Sequence, residues 1–114
     1  MIQDIDRQRA YEAQEQDALA RINKANALSF TINTEGWEII ANTLEDMKDN
    51  QLEELSRQNP GNEKAVLAAH AVWYAVVGSI NQLMSGIDLV IREGEIAKQE
   101  LKELRSQEFQ ENEE

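Results

Sequence analysis

Apolar residues recur at three- and four-residue spacing along two long stretches of the chain, and each stretch predicts an amphipathic helix. Over residues 35–57, Trp37, Ile40, Ala41, Leu44, Met47, Leu52 and Leu55 form one stripe. Glu38, Glu45, Asp46, Asp49, Glu53 and Glu54 stand opposite them. Thr34 is placed to cap this helix at its start, with Glu35 in the first turn where the helix dipole favours an acid. Arg57 falls in its last turn, where a cation is favoured. The run "QNPGNE" then ends it: Pro60 cannot continue a helix, Gly61 supplies the turn, and Asn62 can cap the next helix. From Glu63 a second stripe holds Val66, Ala69, Trp73, Val77, Ile80, Met84, Ile87, Ile91 and Leu101. Unbroken to Arg105, that helix would be about 43 residues long, or roughly 64 Å.

The remaining stretches are less strongly patterned. Residues 2–26 are polar, rich in Ala and Gln and free of Gly and Pro, with a thin stripe of Ile5, Tyr11, Ala18, Ile22 and Ala25. A helix is expected there, stable only when docked, because propensity alone barely supports such a segment. Phe30, Thr31 and Ile32 disfavour its continuation and predict an extended connector. The resulting organisation is a docking helix at 1–27, a connector at 28–34, a helical hairpin core at 35–105 and an acidic tail at 106–114 that frays. Gly78, Gly86 and Gly94 recur along the last helix at eight-residue intervals. Each is read either as a site of close helix packing or as part of a bend, and the capping-box spacing of Ser85 and Asp88 favours a bend near Ser85.

The segment "AVLAAHAVWYAVVGSINQLMSGI", residues 65–87, contains no charged side chain. It is long enough to span a bilayer, which takes roughly 20 residues. His70, Ser79, Asn81, Gln82 and Ser85 interrupt it, however, and neither flank carries an excess of Lys or Arg. Polar groups at membrane depth are costly, and orientation in a bilayer follows basic flanks. The segment is therefore read as a core helix rather than a membrane span. Ala65, Leu67, Ala68, Ala71, Val72, Tyr74, Ala75 and Val76 extend its apolar surface beyond one stripe. One partner helix covers one side only, so further copies of the chain are expected to cover the rest. A monomeric three-helix bundle is the alternative. The fold class is all-α: a helical hairpin or three-helix bundle with a long C-terminal helix, forming an oligomer. Its core and interface are assigned to Trp37, Ile40, Leu44, Val66, Trp73, Val76, Val77, Ile80, Met84 and Ile87, with both Trp side chains buried.

Charge sharpens the functional reading. The 114 residues carry 22 acidic and 11 basic side chains, a net charge of −11. Such a field repels nucleic acid and anionic membranes, so direct binding to either is not expected. Arg7, Arg9, Arg21 and Lys24 are the nearest approach to a basic cluster, and Asp4, Asp6, Glu12, Glu15 and Asp17 offset them. No Cys is present, and the acidic start "MIQDIDRQRAYEAQ" has no apolar signal-peptide core, so synthesis and retention in the cytoplasm is the expectation.

Candidate chemistry is sparse. His70 is the sole His, and the position three before it is Leu67 rather than Glu. The Glu-x-x-His pattern of carboxylate-bridged metal bundles is thus missing, and zinc sites need several Cys or His. A ring of His70 side chains across copies is conceivable, but a hydrogen-bonded or interface histidine accounts for it more simply. "DMKDN" lacks the Gly and the distal Glu of an EF-hand loop. Gly61 has no phosphate-loop context, and no Ser or Thr has suitably spaced His and acid partners. Catalytic, cofactor and metal sites are each expected to be absent, and with them enzyme activity. The acidic helix face has a solubility reading and a sharper one, imitation of DNA toward a DNA-binding enzyme.

The order "EGWEIIANTLEDMKDNQLEEL", a Pro-Gly loop, an Ala/Val/Trp-rich helix and then "EGEIAKQELKEL" resembles the small helical-hairpin proteins of tailed-bacteriophage morphogenesis modules. The resemblance covers residues 35–104 and rests on layout, on Trp37 opening one helix and on helix spacing. It implies a non-enzymatic structural or assembly protein, present in several copies in or around the virion or in the host cytoplasm. Its partners would be itself and other virion proteins. The alternatives are an inhibitor of a host protein and a ligand-binding helical oligomer, using the acidic surface or an inter-subunit pocket.

Overall fold

The computed structural model describes the backbone of residues 2–113 and the side chains of residues 3–107. It consists of α1 (Ile2–Ile32), α2 (Glu35–Ser56) and α3 (Glu63–Glu113), with no strand among the described residues. The all-α class and the long C-terminal helix are as the hydrophobic pattern predicts. The chain divides into two compact units, Met1–Phe30 with Asp88–Glu114, and Thr31–Ile87. The expected hairpin core at 35–105 is therefore cut between Ile87 and Asp88, and the distal part of α3 belongs with α1.

Unit 2, Thr31–Ile87, holds α2 and the first half of α3. Thr34 caps α2 as expected: its Oγ1 accepts from the Trp37 amide at 3.2 Å and donates to the Thr31 carbonyl at 2.7 Å. The second bond explains a departure from the sequence reading. Phe30, Thr31 and Ile32 are helical, and the connector shrinks to Asn33 and Thr34. β-branched and aromatic residues cost only tenths of a kcal/mol in a helix, too little to end one whose final carbonyls are already bonded. Arg57 is the C-cap of α2 rather than part of its last turn, and its guanidinium reaches back to Glu53 at 2.6 Å and Glu54 at 3.2 Å. In the loop, the Asn59 side chain accepts from the Gly61 amide at 2.9 Å, and Asn62 caps α3 by accepting from the Ala65 amide at 3.2 Å.

Unit 1 pairs α1 with the distal half of α3. Its centre is built from small side chains: Ala18, Ala97 and Leu101 are buried together, with Leu19 and Ile22 packed against them. Ala25 is buried too, and a Cβ added at Gly94 would overlap the Ala25 Cβ and lie 3.5 Å from the Arg21 carbonyl oxygen. Gly94 is thus a point of close helix packing, one of its two sequence readings. Of the thin α1 stripe, Ala18 and Ala25 are buried, Tyr11 and Ile22 half-buried and Ile5 exposed. Helix α3 is continuous through Ser85, so no break stands there, and it runs past Arg105 to Glu113. The backbone of the 106–114 tail is helical to Glu113, while the side chains from residue 108 onward lie outside the described residues.

Candidate functional site

Within unit 2, α2 and α3 share one apolar side. Ile80 is its buried centre, at 6 % exposure. Trp37, Leu44, Val66, Trp73, Val76, Val77, Met84 and Ile87 are half-buried, and Ile40 is exposed. The expectation that both Trp side chains are buried is therefore corrected: two helices form a single layer pair, and both Trp side chains stay partly exposed. Lys48 ties the helices together at their polar border, donating to Asn81 at 3.2 Å and Glu45 at 3.1 Å.

Unit 2 leaves much of its apolar surface uncovered, and unit 1 exposes Ile5, Phe30, Leu89 and Ile96 as well. On α3, Leu67 is 67 % and Tyr74 71 % exposed, with Val72 and Leu83 about half exposed. On α2, Ile39, Ile40, Met47 and Leu52 are exposed. Isolated exposed hydrophobes are ordinary on soluble proteins; a run of them along one pair of helices marks an interaction surface. A shallow groove runs along the exposed side of α3, lined by Trp73, Tyr74, Gly78, Asn81, Gln82 and Ser85 among others. His70 is exposed, with its ring 5.7 Å from that of Trp73 and tilted by 43°. Hydropathy and length make α3 a candidate span over Glu63–Gln107, and only 6 % of its most apolar window is buried, so the expectation that this stretch is a core helix is corrected: two helices alone leave most of it uncovered.

Unit 1 carries the electrostatic counterpart. Arg21 lies between α1 and α3 and pairs with Asp17 at 3.1 Å, with Glu93 at 3.7 Å and with Glu100. Its guanidinium is held above the ordinary arginine value, first by the hydrogen bond to Glu100; desolvation opposes this, and the charges of Glu100 and Asp17 add to it. Arg105 reaches Glu15 at 3.5 Å, making a second tie between the helices. A polar groove beside these pairs is lined by Gln14, Asp17, Arg21, Glu100, Glu103 and Gln107, among others. Its acids are arranged around a cation, a structural pairing. Among the described residues, no group of three or more His, Asp or Glu side chains converges to hold a metal ion.

Two features escaped the sequence reading. The contact of Gly94 with Ala25 joins residues far apart in the chain, although the Ala18, Ile22, Ala25 spacing and the recurring glycines were its visible halves. The Arg21 pairs likewise look, in sequence, like a basic cluster offset by its local acids, whereas Glu93 and Glu100 come from α3. Comparison of the chain with protein-family models, with curated proteins and with solved structures gave no match.

Proposed function

We propose that the chain is a non-enzymatic assembly protein that works as a helical homo-oligomer, joined through the uncovered apolar side of unit 2. One observation carries the reading: large apolar side chains stay exposed on both α2 and α3, Leu67 and Tyr74 above all. Apolar burial contributes roughly 25 cal/mol per Å², so keeping this surface wet is costly, and self-association removes the cost. The layout resemblance to phage morphogenesis hairpins gives the setting, a structural component in or around a tailed-phage virion.

The competing reading is a membrane location, favoured by the length and hydropathy of α3. His70, Asn81 and Gln82 within the charge-free stretch weigh against it, since each would need a partner in the bilayer. Expression followed by fractionation separates the two. The protein should be recovered without detergent, and light scattering coupled to size exclusion at micromolar concentration should return a multiple of the 13.0 kDa chain mass. A detergent-free monomer would overturn the assembly reading, and recovery only from membranes would favour the competing one.

A further inference from the structure

Along α3 an apolar residue recurs at every seventh position: Val66, Trp73, Ile80, Ile87, Gly94 and Leu101. Each of the six is buried or half-buried. A second column, three residues further on from Ala69 to Leu104, is covered in the same way except at Leu83. A seven-residue repeat of this kind is a seam against which another helix packs. The seam keeps its spacing across the unit boundary after Ile87, yet a different helix covers it on each side.

Its side chains change size at the same place. In unit 2 the seam is bulky, with Trp73 and Ile80, and α2 brings Trp37, Leu44 and Leu55 to the shared apolar side. In unit 1 it narrows to Gly94 and Ala97, and α1 meets it with Ala18 and Ala25. A Cβ on Gly94 would overlap that of Ala25, so no larger side chain fits between the helices there. The ion pairs that fasten α1, Arg21 to Glu93 and Glu100 and Arg105 to Glu15, also lie wholly inside unit 1. Unit 2 has its own tie, from Lys48 to Asn81.

We infer that α1 is a detachable arm, seated on α3 by the notch at Gly94 and able to leave it while α2 stays docked. The inference does not depend on self-association. Only the last two residues of α1, Thr31 and Ile32, belong to unit 2, so release of the rest takes no side chain from that unit. Among the described residues, α1 fully buries only Ala18 and Ala25, and alanines wet little apolar area when they leave. Segments fastened by small contacts of their own open below the cost of global unfolding.

Both Trp residues lie in unit 2, so their fluorescence reports that unit alone. Gly94→Leu fills the notch and should unseat α1. Hydrogen exchange read by mass spectrometry should then show the amides of α1 losing most of their protection. The amides of α2 and the Trp emission maximum should stay as in wild type. Loss of protection in α2 as well, or a red-shifted emission, would show that the chain opens as one body and overturn the inference. Undiminished protection of α1 would overturn it too, because Gly94 would then not set the seat. The converse variant, Ile80→Ala, loosens unit 2 from within. Its Trp transition should move to lower urea with the exchange of α1 unchanged, and a parallel loss in α1 would again mean a single cooperative body.

Discussion

At the scale of single residues, the glycines separate into those that the chain itself explains and those that it does not. Gly94→Ala should cost about 1–3 kcal/mol, because the new methyl meets Ala25 and one backbone must move. Gly86→Ala has open space and should gain about 0.5–1 kcal/mol from helix propensity alone. Urea denaturation of the two variants side by side checks the sign of each. Arg21→Gln would leave Asp17, Glu93 and Glu100 gathered without their cation, so its melting temperature should fall. The deficit should shrink in high salt, where the Debye length drops from about 30 Å at 0.01 M to about 3 Å at 1 M. The pH dependence has a definite sign. A raised folded-state pKa means that Arg21's contribution is complete below the ordinary arginine value and is lost only as pH climbs through the raised one. Titration from neutral to mildly alkaline pH should therefore leave the Arg21→Gln deficit unchanged. Periodicity placed Ile80 correctly at the centre of its helix pair, but it could not tell half-burial from burial. That distinction depends on how many layers cover a face, which for Trp37 and Trp73 is one.

At the scale of elements, the boundaries most legible in sequence are those written in local chemistry. Thr34 and Asn62 cap α2 and α3 because each side-chain oxygen reaches an amide three residues on, a relation visible in sequence. Thr34→Ala removes both the cap and the bond to the Thr31 carbonyl, and should destabilise the protein by about 1 kcal/mol. Loss of helical signal at a lower urea concentration than wild type is the expected result. The end of α1 was less legible, because the propensities of Phe30, Thr31 and Ile32 are weak compared with the hydrogen bonds that extend the helix. The continuity of α3 through Ser85 shows the same imbalance. A Ser-x-x-Asp spacing resembles a helix start, yet a helix already under way has no unsatisfied amides there to cap.

At the scale of the whole molecule, each unit is held in a different way. Unit 2 combines one buried Ile with a broad half-covered apolar side, while unit 1 relies on alanine-sized contacts and ion pairs. The class and the long helix were legible because they depend on periodicity within one segment. The division at Ile87 was not, because it depends on which distant segment α1 chooses. That choice also sets an order in time. The Arg21–Glu100 and Arg105–Glu15 bonds span 79 and 90 residues, whereas the Lys48–Asn81 bond spans 33. Closing the longer loops costs only about 0.8 kcal/mol more, but on a ribosome the difference is one of sequence, not energy. The α2–α3 contacts of unit 2 need no residue beyond Ile87, whereas α1 has no partner within its unit until residues 88–113 exist. The helix synthesised first is the one that docks last.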